Sequence, residues 1–499
     1  MCKKGIVASM VMVGVVFCWV GSTLAAEDTK ELLKQAKICK KWYPERAEAI
    51  YKKIIADKPS SDDELEAQRN LAHIYIFDKK EAEVQGIINR LNTEFAKNPN
   101  QPAALYNIAE TYEEYERLYG KGESYESAKG VYQKITGGPY ADKAKVGFAR
   151  VGVAAFIKAG KDGDAQAAFD KLNTDFAGNS ALPRMLYDIA VEYEAAKRYE
   201  KAEGIYKNII AKYPDSGDNH CALGSQKHLV LVYSATGKNN EAKAALEKLI
   251  KDNAGRQELV VALYDIALEH EGAGRHQDAA AVYQKILPLD QKSMRGLKAP
   301  IDIPKCQILG YIDAGDDGKV MPAVEKLIAD FPGHPYMPAA VSRIAEQYQK
   351  RGAKLEADGR IGQAKDYTKN AAAIYEIVVM RLPDSTAYTK TSGIMKEFET
   401  ATPKACSAAG DCYRKLDAYE KSNQCYQKLV DVYPKFISAG STLYMMGQNY
   451  QQMGKSGLIS KSEADAKAKT VYEQLLAKYP DCKAAVAAQS WLALKGGSK

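Results

Sequence analysis

Apolar residues recur along this chain at helical spacing, in paired blocks separated by short polar or glycine-containing breaks. One stretch is especially regular: Leu186, Ile189, Ala190 and Tyr193 lie three or four residues apart and share one face of a helix. After a polar break, Ala202, Tyr206 and Ile209 form a second such face. Lys212-Tyr213-Pro214 then closes the block, because proline cannot continue a helix. The two-block pattern returns through nearly all of the chain and predicts a succession of helical hairpins.

In a 34-residue frame, Ala190 stands at position 8, Tyr193 at 11, Ala202 at 20, Tyr206 at 24 and Pro214 at 32. This register closely resembles the tetratricopeptide repeat. Gly410, Tyr413, Ser422, Tyr426 and Pro434 repeat it, as do Ala267, His270, Ala279, Tyr283 and Ile286. Eleven candidates for position 20 follow: Ala47, Ala82, Ala128, Ala165, Ala202, Ala242, Ala279, Val320, Ala371, Ser422 and Ala468. Small side chains are needed there because paired helices approach to about 8–10 Å only where small groups face each other. The resemblance implies an all-α, right-handed superhelical α-solenoid of about eleven hairpins.

Two inserts, one through Arg351–Arg360 and one between Tyr450 and Ala468, are rich in Ala, Lys and Glu and read as elongated hairpins. Leu287–Pro304 and Leu382–Pro403 look irregular, as bends or boundaries. The expected organisation is a signal peptide over 1–25, an N-terminal array over 27–299, and a C-terminal array with longer hairpins over 300–499.

The N-terminus changes the expected compartment. Lys3 and Lys4 precede an apolar run from Ile6 to Val20, followed by small residues with Thr23 and Ala25 at the cleavage positions. Cleavage is expected after Ala25, giving a periplasmic or secreted protein, although the same run also fits a retained anchor. Phe17 before Cys18 is too bulky for a lipobox, so a lipoprotein is not expected. The net charge of +7 is spread in alternating signs, without the basic block that nucleic acid binding needs. Tyr (32) far exceeds Phe (10), which suggests many half-buried rings.

Reactive motifs are incomplete. Gly454-Lys455-Ser456 echoes a phosphate loop, but Asn449 stands where its first glycine belongs. His270-Glu271 echoes a zinc helix, but Gly274 replaces the second histidine. His220, Cys221 and His228 match no common metal spacing. No catalytic residue, cofactor or metal is expected. Seven cysteines follow the leader. In the repeat frame opposed positions sum to about 28, and Cys406 at position 4 with Cys425 at 23 fits a disulfide. Three small buried thiols, with Cys412, are the alternative.

The resemblance also implies where a partner would bind: a groove lined by first helices, at positions 2, 5, 9, 12 and 13. Carried over, these include Tyr106, Tyr187, Tyr264 and Tyr444 at position 5. Acidic groove residues would be Glu110, Glu113, Glu114 and Glu194, with Lys404, Arg414 and Lys415 making the late repeats basic. The tyrosines could equally be packing residues. A non-catalytic scaffold for a protein or peptide partner in cell-envelope assembly is the leading expectation. The Tyr-Pro pairs at 213–214, 433–434 and 479–480 are similar to those of envelope tetratricopeptide families. These include the lipoprotein subunit of the outer-membrane barrel-assembly machinery and the Tol-Pal-associated coordinator. The alternative is a scaffold of a polysaccharide export or wall-remodelling machine. The presence of only Trp42 and Trp491 after the leader weighs against sugar stacking.

Overall fold

The computed structural model describes residues 29–40, 44–57, 61–120, 122–213, 220–384 and 400–496. The leader, Trp42, Pro214 and residues 385–399 lie outside them. Every regular element among the described residues is an α-helix, 23 in all. The chain divides into two compact units, one ending at Cys221 and the other beginning at Ala222.

The first unit holds α1 (Thr29–Lys40), α2 (Pro44–Ala56), α3 (Ser61–Phe77), α4 (Glu81–Thr93), α5 (Gln101–Tyr119), α6 (Glu123–Tyr132), α7 (Ala141–Lys158), α8 (Asp162–Asp175), α9 (Leu182–Ala195) and α10 (Tyr199–Lys212). From the unit boundary follow α11 (Cys221–Ala235), α12 (Asn239–Asp252), α13 (Gln257–Gly272), α14 (His276–Ile286), α15 (Met294–Ala314), α16 (Asp317–Asp330), α17 (Met337–Ala357) and α18 (Ile361–Met380). The last are α19 (Ala401–Lys415), α20 (Tyr419–Val432), α21 (Ala439–Lys455), α22 (Lys461–Lys478) and α23 (Lys483–Gly496).

Each odd-numbered helix up to α21 pairs with the even one after it. For α11 and α12 the tie is Asn253, which donates to Gln226 Oε1 at 2.7 Å. The position-20 residues explain the pairing: Ala47, Ala128, Ala165, Ala202, Ala242, Ala279, Val320, Ala371, Ser422 and Ala468 are all buried on second helices. Ala82 is exposed, and Val84, two residues on, is the first of the buried residues of α4, ahead of Ile87, Ile88 and Leu91. That marker is corrected by two residues, to the first position of the buried face of α4.

Late repeats carry the requirement for small side chains further. A Cβ added to Gly410 would lie 2.2 Å from the Tyr426 ring, and one on Gly447 2.3 Å from the Tyr472 ring. The tyrosine at position 24 therefore lies directly over position 8, where a side chain would overlap it. Gly454, of the phosphate-loop echo, serves the same end, with its Cβ position 2.6 Å from Ala464 Cβ.

Several hairpin turns share one device. A residue in the left-handed region follows the first helix, and the next amide bonds back five residues, as Arg198 N does to Tyr193 O at 2.8 Å. Glycine fills the left-handed position at Gly274 and Gly315, whereas Lys79, Lys197 and Asp417 adopt it without being glycine.

The insert through 351–360 lengthens α17 and α18, as expected of an elongated hairpin. Residue 300, where the sequence placed a division, falls inside α15. This helix starts at a Ser293 cap whose Oγ accepts from Gly296 N and runs on through Pro300 and Pro304. The segment read as irregular up to Pro304 is thus helical from Met294. Its buried face of Ala299, Ile301, Asp302, Lys305 and Cys306 offsets what the prolines cost.

Candidate functional site

The four position-5 tyrosines share one packing role. Each ring meets the position-24 tyrosine of the facing helix: Tyr106 with Tyr132 (5.5 Å between centroids), Tyr187 with Tyr206 (6.1 Å), Tyr264 with Tyr283 (5.2 Å) and Tyr444 with Tyr472 (5.6 Å). These distances suit tilted or edge contacts between aromatic rings. Tyr106, Tyr187 and Tyr444 stay half-buried; Tyr106 also meets Tyr140 (5.3 Å), and the Arg184 guanidinium stands over the Tyr187 ring (5.6 Å). Tyr264 is buried, and its hydroxyl donates to Asp302 Oδ2 at 2.7 Å.

In the first unit, side chains of α1, α3, α5, α7 and α9 line a cleft of about 680 Å³. All are first helices of their hairpins. Tyr106, Glu110, Glu113 and Glu114 meet Lys40, Arg69, Arg117, Arg150, Arg184 and Asp188 there. At its floor the Arg150 guanidinium lies 2.6 Å from Glu113 Oε2 and 3.6 Å from Asp188. Tyr132 OH donates to the other Glu113 oxygen. Burial opposes the Arg150 charge, but Glu113 and then Asp188 outweigh it and raise its pKa. Glu110, at the rim, has its pKa raised by burial and then by Glu113. Burial, followed by Glu110, pushes the Tyr106 hydroxyl up to about 12. Glu194 is not in this cleft; it accepts from Tyr206 OH at 2.9 Å.

A second cleft, of about 630 Å³, lies wholly in the second unit and is lined from α13, α15, α17 and α19. It brings together Tyr264 and Lys404 of the expected groove with Arg295, Lys298, Lys305, Tyr336, Ser342 and Arg343. Asp302, fully buried behind it, accepts from Lys305 Nζ (2.6 Å), Tyr336 OH (2.7 Å) and Tyr264 OH. Lys305 also pairs with Glu271 at 3.0 Å. Burial pulls the Lys305 ammonium down, yet Asp302 and Glu271 more than restore it, so its pKa is raised. The Lys298 ammonium stands over the rings of Tyr336 (5.3 Å) and Tyr264 (5.7 Å). Arg414 and Lys415 line a smaller cleft farther on, where Arg414 donates to Gln448 at 2.7 Å and Asn449 at 3.2 Å.

Comparison with known proteins agrees with the hairpin register. The tetratricopeptide-repeat family model matches residues 185–216, 408–435 and 441–481, which fall on α9–α10, α19–α20 and α21–α22. Those three stretches carry tetratricopeptide repeats. Among solved structures, a tetratricopeptide repeat protein from Parabacteroides merdae is 14% identical, covering 56% of this chain and 89% of its own at a TM-score of 0.26. The tetratricopeptide domain of P58(IPK) is 13% identical, covering 95% of this chain and 100% of its own at 0.22. The Naa15/Naa10 assembly bound to HypK-THB is 12% identical over 93% of this chain and 66% of its own, at 0.32. No curated protein matches significantly.

Within the repeat register, Cys406 and Cys425 share one core cluster. Burial pushes both thiols up to about 12, and each is free, so the expected disulfide is not formed. They pack as small buried thiols, as Cys412 does. His270 is likewise a packing residue: it is buried, its Nδ1 accepts from Arg275 Nε, and burial lowers its pKa to about 4.

Sequence reading missed Arg150, Arg295, Lys298 and Ser342. A visible signal did exist for Lys298, Asp302 and Lys305, charged residues at three- and four-residue spacing among apolar ones. The two prolines obscured it.

Proposed function

We propose that this chain is an exported, non-catalytic scaffold of the cell envelope whose first-helix clefts hold a segment of a protein partner. Tetratricopeptide repeats are interaction modules in general, and three stretches of the chain match them. The single observation that carries the reading is the lining of the 680 Å³ cleft by first helices alone, five in succession, with half-buried Tyr106 beside exposed Glu110 and Arg184. An extended chain laid along such a row meets a polar or charged side chain from every hairpin, and the half-buried Tyr106 ring for apolar contact. The leader of Lys3, Lys4 and Ile6–Val20 supports export, and mass spectrometry of the native protein is expected to find an N-terminus at Ala26.

The test places a photo-crosslinking residue at Glu110 or Lys404 in the clefts, and at Gln166 on the exposed side of second helix α8 as a control. In the native envelope, the cleft positions are expected to trap one discrete protein and Gln166 none. Crosslinks from Gln166 alone, or polysaccharide adducts in place of protein, would count against the reading.

A further inference from the structure

Among the described residues, the cleft between α13, α15, α17 and α19 carries more cations than carboxylates and two buried polar atoms without a hydrogen-bond partner. Arg295, Lys298, Lys305, Arg343 and Lys404 line it, against Asp265 and Glu346. Lys305 is taken up by buried Asp302 and Glu271, and Asp265 pairs with Lys227 at 3.3 Å. With all four acids and Lys227 counted, the cations among the described residues exceed the carboxylates, six to four.

Two lining residues also carry buried polar atoms without a hydrogen-bond partner, Arg295 Nε and Ser342 Oγ. Ser342 is 8% exposed, and Lys298 beside it 7%. A buried donor left unmade costs about 1–3 kcal/mol, and most buried polar groups in folded proteins do have partners. No residue lining the first-unit cleft has such an atom among the described residues.

We propose that this cleft binds a tetrahedral oxyanion, a phosphate or sulfate group, free or carried on a larger molecule. An oxyanion at the floor would accept from Arg295 and Ser342, reached by a rotamer turn of each side chain, with Lys298, Arg343 and Lys404 supplying the countercharge. The donors come from three helices, α15, α17 and α19, and so converge from different directions. A group with three or four oxygens can meet all of them, whereas the two coplanar oxygens of a carboxylate match a single arginine fork. The Asp302 charge is offset by the Lys305 ammonium at 2.6 Å, and Tyr264 and Tyr336 occupy further acceptor positions. The inference rests on the reading of the first-helix face as the binding face.

The experiment is calorimetric titration of the whole mature chain with inorganic phosphate at fixed ionic strength, with sodium acetate and sodium chloride as controls. One phosphate per chain is expected, with acetate bound at least about tenfold more weakly, a difference of 1.4 kcal/mol. Arg295→Gln is expected to weaken phosphate about tenfold or more, and exposed Lys404→Gln about threefold. Circular-dichroism melting identifies any variant that fails to fold, and Lys404→Gln then decides. Glycerol 3-phosphate binding more tightly than phosphate assigns an ester carried by a larger molecule; the reverse order assigns the free ion. Acetate or chloride heats equal to those of phosphate, or unchanged phosphate affinity in both folded variants, would overturn the proposal. If phosphate does not bind while crosslinking from Glu110 still traps a protein, this inference fails alone. If phosphate binds and no partner is trapped, the scaffold reading fails instead.

Discussion

In the first unit, Arg150 sits between Glu113 and Asp188, and Asp188 is held from its other side by Arg184 at 2.9 Å. In the second, Asp302 and Lys305 face each other behind two tyrosine hydroxyls, with almost no exposure of either. Both clusters stand on first-helix faces of the same repeat type. The first is partly wet, and no residue lining its cleft keeps a buried polar atom without a partner among the described residues; the second is dry, and its cleft retains two such atoms, Arg295 Nε and Ser342 Oγ. A repeat fixes which face looks inward. It does not fix how the charges on that face are spent.

The sharpest way to break this contrast is to remove one acid from each. Asp302→Ala leaves the Lys305 charge buried with Glu271 alone and strands two tyrosine hydroxyls, so a loss of about 3–5 kcal/mol is expected. Glu113→Ala leaves Arg150 with Asp188 and some access to water, and about 1–3 kcal/mol is expected. Denaturant unfolding of both variants checks the order, and equal losses would remove the distinction.

Acid tests the histidines. Burial holds His270 of the second unit at about 4, as burial and Lys40 hold His73 beside the first cleft. Both are neutral when folded, and the unfolded chain takes up their protons first, near 6.5. Stability is therefore intact above about pH 6.5, falls as pH drops toward about 4, and levels off below that. Each contributes on the order of 1–3 kcal/mol. Replacing either histidine by Gln is expected to flatten the pH 4–6.5 limb of the melting-temperature profile.

A smaller effect separates the position-5 tyrosines. Tyr264→Phe removes a buried donor to Asp302 and is expected to cost about 1–2 kcal/mol. Tyr106→Phe keeps the ring pair with Tyr132 at the wet rim and is expected to stay within about 0.5 kcal/mol. Thermal melts of the two variants give the comparison. The smallest effects lie in the turns. Lys197→Gly relieves a left-handed lysine and is expected to stabilise by about 0.5 kcal/mol, while Gly274→Ala imposes the strain and costs about 1 kcal/mol. Melting temperatures moving together in one direction would refute the turn assignment.

Much of the fold is legible in the sequence. Position 20 was found in ten of its eleven hairpins, because a buried small residue recurring beside a tyrosine is a strong periodic signal. Ala82 misled, since an alanine costs nothing on a solvated face and its composition alone does not show which way it points. The candidate site was legible only in part. Tyr106, Glu110, Tyr264 and Lys404 do line clefts, whereas Glu194 serves Tyr206 and Cys406 and Cys425 stay unbridged.

The order of residues alone determined the helical hairpins, their register and the face each turns inward, because those follow from spacings of three and four along a single segment. Only the tertiary structure decided that Asp302 is satisfied from Tyr264 and Tyr336, 38 and 34 residues away, and that Arg295 and Ser342 are left wanting. Whether a buried charge or donor finds a partner depends on which atoms three neighbouring helices bring within about 3 Å, and no periodicity within one helix encodes that distance.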